Sequence, residues 1–183
     1  SYSQNPFRQL YSEISSYTFY DKLYYKIGID QFDEFKSKGT SNEGVSALTL
    51  PLILTYDLGG GNSITSYIEH QNKNTHLRNE SIGVNSSENY QSKYLSLTYN
   101  YVNFISFSFF YEDEIFEKKI FDTIWNKGIN VWRGYDITAK INSTSQLSIF
   151  YGSQKGGLVC ANGVCAEQPG FDNGIKLTLR TII

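Results

Sequence analysis

The sequence predicts an all-β protein, an antiparallel transmembrane up-and-down β-barrel. Two observations predict this fold: stretches of alternating apolar and polar side chains, and connections that alternate between very short and long. In one such stretch, Leu95 and Leu97 alternate with Ser96 and Thr98. A one-residue alternation is the period of a β-strand, because successive side chains leave opposite faces. Short turns at one end and long loops at the other are typical of outer-membrane barrels.

The composition agrees with a single domain of this kind, spanning residues 1–183. The 16 basic and 18 acidic residues nearly balance, which argues against a dedicated nucleic-acid binder with a basic patch. Hydrophobic residues make up 40% of the chain, yet no stretch approaches the roughly 20 apolar residues of a membrane helix. A barrel explains both facts, because only every second residue of its strands must be apolar.

The alternation predicts nine strands, of which the first has the weakest pattern. The predicted strands span residues 10–19, 22–35, 45–56, 63–74, 93–101, 104–112, 129–141, 146–154 and 174–182. The short connections are 20–21, 58–62, 102–103 and 142–145, and the long ones are 36–44, 71–92, 113–128 and 155–173. Bacterial barrels place their short turns on the periplasmic side and their long loops outside.

The directions of the outermost strands lead to a further expectation. The first and last predicted strands both run toward the short turns, so their free ends lie on opposite sides of the membrane. Such a set cannot close an even-numbered antiparallel barrel. Either the first segment is not a membrane strand, or strands precede Ser1. Because the chain contains no Met and no start signal, we expect the C-terminal portion of a larger barrel.

Alternation alone also fits a soluble sandwich, which would turn its apolar rows inward. The asymmetry of the connections favours the membrane, and so do aromatic residues near the short turns: Phe19, Tyr20, Tyr56, Tyr99, Tyr101 and Phe104. Pro51 interrupts a leucine-rich strand and cannot donate a ladder hydrogen bond. We expect a β-bulge there, the alternative being a strand broken into two.

Cys160 and Cys165 bracket an Asn162-Gly163 pair, the strongest signal for a two-residue hairpin turn. In such a hairpin the cysteines lie opposite each other, with their Cα atoms about 4.5 Å apart. Disulfides accept Cα separations of about 4.4–6.8 Å, and the cell surface is oxidising. We therefore predict a disulfide. A metal site would need more ligands, and none is predicted.

Two other segments carry weaker signals. His70 and His76 lie beside Glu69 and Glu80 near a predicted long connection, where an acid–His pair could supply a general base. The alternative is a hydrated loop with two ordinary histidines, since no nucleophile accompanies them. In the 113–128 connection, apolar residues at helical spacing suggest a short amphipathic helix that contacts a partner or packs on its own loop.

The stretch 156–165 (GGLVCANGVC), continuing through Pro169 to Ile183, combines a Gly-Gly pair, a close Cys pair around a Gly turn, a proline and a final strand. It resembles the C-terminal end of an uncharacterised family of Bacteroidetes-type outer-membrane β-barrel proteins. The resemblance implies an outer-membrane location and no particular activity. One difference concerns the end of the chain, which is Ile183, whereas many bacterial barrels end in an aromatic residue.

These observations lead to one main functional expectation and two alternatives. The main expectation is a porin-like barrel in the bacterial outer membrane, acting as a passive pore or as the scaffold of a cell-surface complex. Its partners would be the lipid bilayer and other outer-membrane or surface proteins. The alternatives are a barrel enzyme with a loop-borne acid–His site, and a soluble all-β binding module. The sequence predicts no catalytic residue and no cofactor.

Overall fold

The computed structural model describes residues 7–38, 41–79, 84–102, 104–120, 123–161, 164–168 and 170–181. Eleven strands lie within these ranges. They are β1 Phe7–Thr18, β2 Leu23–Lys38, β3 Ser41–Gly59, β4 Asn62–Asn79, β5 Val84–Tyr101, β6 Ile105–Ile120, β7 Thr123–Lys140, β8 Ser145–Gln154, β9 Gly157–Ala161, β10 Val164–Gln168 and β11 Phe171–Thr181.

Nine of these strands form one antiparallel sheet in the order β1-β2-β3-β4-β5-β6-β7-β8-β11, and β9 and β10 form a separate hairpin. Each strand pairs with its predecessor in the sheet, which confirms the all-β, antiparallel up-and-down fold predicted from the sequence. All nine predicted strands are present. The sheet is not closed, since no pairing joins β1 to β11 in the described part of the chain. Among the described residues, no helix is long and apolar enough to span a membrane.

The short connections are confirmed, and all of them lie at one end of the sheet. Between β1 and β2 the turn places Phe19, Tyr20 and Asp21 at positive φ (53°, 57° and 63°), and the Lys22 amide donates to the Phe19 carbonyl. Between β3 and β4, Gly59, Gly60 and Gly61 also have positive φ, which glycine adopts without steric cost. We call this end of the sheet the turn end.

The predicted long connections are mostly wrong, because the strands continue through them. Most of 36–44, 71–92 and 113–128 is strand, and the described part of the stretch expected to form a helix belongs to β6 and β7. Cross-strand charge pairs occur in these polar extensions. Lys118 of β6 binds Glu88 of β5 at 3.1 Å, and Glu117 binds Lys127 of β7 at 3.6 Å. Opposite charges on paired strands stabilise a sheet without a hydrophobic row.

The bulge expected at Pro51 is also wrong. A bulge inserts one residue and shifts the register, but the pairing of β2 with β3 has the same register on both sides of the proline: Ile27–Leu52 and Asp30–Thr49. Gly28 lies across from Pro51, and a Cβ there would be 3.1 Å from the proline Cγ. The absent side chain thus makes room for the proline ring within a regular sheet.

The two faces of the sheet differ sharply. One hydrogen-bonded row crosses all nine strands on what we call the apolar face: Thr18, Leu23, Tyr56, Ile64, Tyr99, Phe107, Ile137, Ile149 and Leu177. Except for the half-buried Leu23, these side chains are exposed, Phe107 at 47% and Ile137 at 45%. In the described part of the chain, Phe150 is the sole buried hydrophobic side chain, and it lies on the opposite, polar face. Most of the hydrophobic surface of the sheet therefore lies exposed on the apolar face.

Candidate functional site on the polar face

The polar face near the turn end is lined with hydroxyl groups. Thr55 and Thr65 form a hydrogen bond of 3.1 Å across β3 and β4, and Thr98 and Ser108 one of 2.9 Å across β5 and β6. These residues belong to one hydrogen-bonded row. Paired hydroxyls satisfy each other and still leave lone pairs for water or a polar solute.

Next to this zone, five rings form a continuous aromatic cluster across six strands of the sheet. Successive ring centroids are 5.7, 6.3, 5.3 and 5.5 Å apart, in the order Tyr67, Tyr94, Phe110, Phe150 and Phe171. Phe150 is only 7% exposed. Aromatic pairs at such distances contribute about 0.5–1.5 kcal/mol each beyond the area they bury. The cluster is thus a small packed core on an otherwise polar face.

A row of three glycines lies beneath the aromatic cluster. Gly134, Gly152 and Gly174 are neighbours on β7, β8 and β11. A Cβ at Gly134 would lie 2.5 Å from the Phe150 ring and 2.8 Å from the Phe110 ring. The two rings can therefore meet only because β7 has no side chain at this position.

Lys155 lies just after β8, and its side chain contacts residues of the polar face. Its Nζ lies 3.2 Å from a Glu112 carboxylate oxygen, 2.6 Å from one of Glu114, and 5.4 Å from the centre of the Trp132 ring. Burial opposes the charged form of Lys155, but the two carboxylates outweigh it and raise the pKa of the lysine. This contact fixes the base of the segment that continues into the β9–β10 hairpin.

Tyrosine–glutamate pairs recur on the polar face. In each pair the tyrosine hydroxyl donates to a carboxylate two residues away on the same strand: Tyr11–Glu13, Tyr67–Glu69 and Tyr90–Glu88. In the polar extension, the hydrogen bond from Tyr90, assisted by Lys118, lowers the pKa of Glu88. The pairs orient their carboxylates along the face.

The structure separates the residues of the predicted acid–His site. His70 and His76 lie on β4 and not in a loop, so the loop-borne site is wrong in its placement. Glu69 and His70 are adjacent strand residues and leave opposite faces. The His70 Nε2 atom lies 3.3 Å from the Asn72 side-chain nitrogen. Glu80 lies outside the described residues.

The predicted hairpin around the cysteines is present. Cys165 of β10 lies opposite Cys160 of β9, and Val164 lies opposite Ala161, as the Asn162-Gly163 turn predicted. The turn itself and the two cysteine side chains lie outside the described part of the structure. The disulfide stays a prediction.

The aromatic cluster and Lys155 were missed in the sequence. A signal existed in the adjacent aromatic pairs Phe109-Phe110 and Phe150-Tyr151. Neighbours in a strand face opposite ways, so one ring of each pair had to lie on the polar face. The cross-strand glycine that lets these inner rings meet becomes visible only once the register is known.

No protein-family model matches this sequence, and no curated protein matches it significantly. Among solved structures, the chain is similar to the translocator domain of the autotransporter NalP from Neisseria meningitidis, with 9% sequence identity and a TM-score of 0.44. The similarity covers 97% of this chain and 70% of that one. A likeness this distant carries no argument about function.

Proposed function

We propose that this chain forms the wall of a bacterial outer-membrane β-barrel, with the apolar face against lipid and the polar face lining an aqueous lumen. The observation that carries the proposal is the row of apolar side chains that crosses eight of the nine strands, from Leu23 on β2 to Leu177 on β11, all of them exposed except Leu23. A soluble protein rarely exposes a contiguous apolar patch larger than a few hundred Å². In a bilayer the same surface is solvated by acyl chains.

The apolar band on this face is bordered by aromatic residues. Tyr101 and Phe104 lie exposed near the turn end, and Tyr135 and Tyr151 are exposed at the far border of the band. Tyrosine is enriched at membrane–water interfaces, where the ring lies in the apolar region and the hydroxyl meets water. The two borders support a membrane-spanning zone between them.

The band also runs obliquely to the hydrogen-bonded rows. On β3 it extends to Leu50, whose row neighbours on β5 and β6 are Lys93 and Asp113. At the turn end, Thr18 of β1 is polar while Leu177 of β11, in the same row, is apolar. Barrel strands are tilted by about 35–45° from the membrane normal. A band parallel to the membrane must therefore cross the rows at an angle.

The polar face supports a passive pore or the scaffold of a cell-surface complex. Hydroxyls line the turn end, and the aromatic cluster narrows the lumen next to them. Beyond the band the strands continue as a polar sheet joined by ion pairs, which offers a rigid surface to other outer-membrane or surface proteins. We also propose membership of the Bacteroidetes-type family that the segment 156–183 resembles.

Fluorescence quenching by lipid tests the placement of the two faces. Trp125 and Trp132 are first replaced by phenylalanine, and a single tryptophan is then introduced by Ile137→Trp on the apolar face or Thr138→Trp on the polar face. The protein is refolded into vesicles whose acyl chains carry bromine. We expect strong quenching in the Ile137→Trp protein and weak quenching in the Thr138→Trp protein.

The two positions are adjacent on β7, so they form a matched pair. Equal quenching at both would contradict the facing of the sheet. A water-like emission spectrum at both, with no change on adding vesicles, would favour the soluble binding module instead.

A further inference from the structure

A cavity opens on the apolar face where β7 and β8 part. Pairing between them ends at Gly134 and Gly152, and the pairing of β8 with β11 is irregular at the same level, between Phe171 and Gly174. The resulting cavity has a volume of about 800 Å³. Its walls include Tyr135 and Tyr151, which are cross-strand partners.

One basic and one acidic side chain line this cavity, Arg133 and Asp172. Within the described part of the chain, neither of their side chains forms an ion pair or a hydrogen bond, and only the backbone of Arg133 binds the Ser153 hydroxyl. The Arg133 side chain is exposed on the apolar face. An exposed arginine beside an apolar wall needs an anionic partner when water is replaced by lipid.

The position of the cavity along the strands identifies that partner. Tyr135 and Tyr151 are 60% and 55% exposed and end the uninterrupted apolar run from the turn end, being followed on the same face by Arg133 and Ser153; beyond Arg133, Val131 and Ile129 of β7 are again apolar. On β5 and β6 the polar zone begins at Lys93 and Asp113, one same-face position further from the turn end than Arg133, as the oblique course of the band requires. In the proposed barrel, the cavity therefore lies at the border between acyl chains and headgroups, where phosphate is the available anion.

We infer that this cavity binds the headgroup of a zwitterionic phospholipid of the phosphatidylethanolamine type. Arg133 binds the phosphate and Asp172 binds the ammonium group, so both unpaired charges are neutralised by one ligand. Tyr135 and Tyr151 pack against the start of the acyl chains. The inference rests on the proposed membrane placement.

Native mass spectrometry of the detergent-solubilised protein tests the inference. The probes are phosphatidylethanolamine, phosphatidylglycerol, which has a phosphate but no ammonium group, and a galactosyl diacylglycerol, which has neither. We expect Arg133→Gln to weaken binding of both phospholipids by about tenfold or more, the effect of losing one charge-assisted contact. We expect Asp172→Asn to abolish the preference for phosphatidylethanolamine and to leave phosphatidylglycerol bound.

Matched controls lie elsewhere on the sheet. Arg180→Gln removes an arginine from the polar face, and Asp21→Asn removes an acid from the turn end; both should retain lipid as the wild type does. Circular dichroism confirms that each variant is folded. Unchanged retention in Arg133→Gln, an unchanged lipid preference in Asp172→Asn, or equal retention of the galactolipid would each overturn the inference. Tighter Arg133-dependent retention of a phosphorylated glycolipid such as lipid A would overturn the assignment to a zwitterionic headgroup.

The two proposals fail in different ways. If the brominated vesicles quench the Ile137→Trp protein but lipid retention does not depend on Arg133, the headgroup site is wrong and the membrane placement stands. If that tryptophan is not quenched, the membrane placement fails and the headgroup site fails with it.

Discussion

Phe110 of β6 and Phe150 of β8 stack with their ring centroids 5.3 Å apart, although β7 lies between their strands. The contact crosses Gly134 of β7, whose missing side chain leaves the space that the rings occupy. A glycine in a strand interior normally weakens the strand. Here that loss is offset, because the glycine allows a continuous aromatic cluster to form on the polar face.

Gly134→Val should destabilise the folded protein by about 1–3 kcal/mol, the usual effect of forcing atoms into a packed site. The new side chain must displace the Phe110 or Phe150 ring, since a Cβ alone would lie 2.5 Å from one and 2.8 Å from the other. Urea-induced unfolding in lipid vesicles, followed by tryptophan fluorescence, measures the change.

A double-mutant cycle distinguishes this steric effect from a loss of strand geometry. Phe150→Ala removes the nearer ring, so Gly134→Val should cost less in that background than in the wild type. Ala139→Val, which introduces the same side chain on the same strand but on the apolar face, is the control and should be nearly neutral. If the costs of Gly134→Val and Phe150→Ala simply add in the double variant, the space at Gly134 does not serve to accommodate the rings.

Arginine substitutions should destabilise the protein more on the apolar face than on the polar face. Phe107→Arg and Leu50→Arg place a charge on the apolar face, and near the bilayer midplane each should destabilise the protein by about 2–4 kcal/mol. Ser106→Arg and Thr49→Arg, on the neighbouring polar-face positions, should have milder effects. Reversible folding titrations in lipid vesicles give the four values, and equal losses within each neighbouring pair would rule out the facing derived above.

Lys155→Met should loosen the segment that leads into the β9–β10 hairpin while the nine-stranded sheet stays folded. The substitution removes the contacts with Glu112 and Glu114. Because these ion pairs are partly exposed, we expect a local loss of about 1 kcal/mol or less. Hydrogen exchange of the amides in residues 157–161, compared with those of β5, measures the effect; Lys155→Arg keeps the charge and should largely preserve protection.

The same contact predicts a pH dependence. The pKa of Lys155 is raised in the folded protein above its ordinary value of 10.5. Its stabilising effect is therefore fully present below pH 10.5 and is lost as the pH rises through the higher folded value. Wild-type protection of the hairpin base should fall in that alkaline range, whereas the Lys155→Arg protein should keep its protection there. Identical alkaline profiles for the two proteins would show that another group controls the segment.

The sequence predicted the strands well where one face is apolar and failed where both faces are polar. Alternation located the parts of the strands that have one apolar face, because it records the two faces directly. Glu88 and Lys118 lie in stretches with no hydrophobic row, so their strand structure depends on a cross-strand partner 30 positions away. Such pairing carries no local period, so the sequence alone predicts loops or a helix in these stretches.

The environment of Pro51 and the aromatic cluster on the polar face also depend on residues of neighbouring strands, so the local sequence pattern does not predict them. A proline inside a strand indicates a defect when the strand is considered alone, but Gly28 on the neighbouring strand removes the conflict. The contact of Phe110 with Phe150 likewise depends on Gly134 of a third strand. Features of this kind require the register of several strands at once, which periodicity within one strand does not contain.

The register of the β9–β10 hairpin predicts a disulfide between Cys160 and Cys165, since these residues lie directly opposite each other. Such a pair falls within the Cα separation that disulfides accept. The closed loop is short, so its entropic contribution should be modest, about 2 kcal/mol or somewhat less. Replacing both cysteines by serine should therefore leave the nine-stranded sheet assembled and increase hydrogen exchange in residues 157–168 alone.

Intact-mass analysis after alkylation without reductant tests the bond itself. Protein isolated from an oxidising compartment should take up no alkyl group, and after reduction it should take up one on each cysteine. Ala161→Cys in the Cys160→Ser background is a matched control, because it moves one thiol to the adjacent position, which pairs with Val164 and not with Cys165. Two freely alkylated thiols in the unreduced wild type would show that the hairpin is not closed by a disulfide or that it does not face an oxidising compartment.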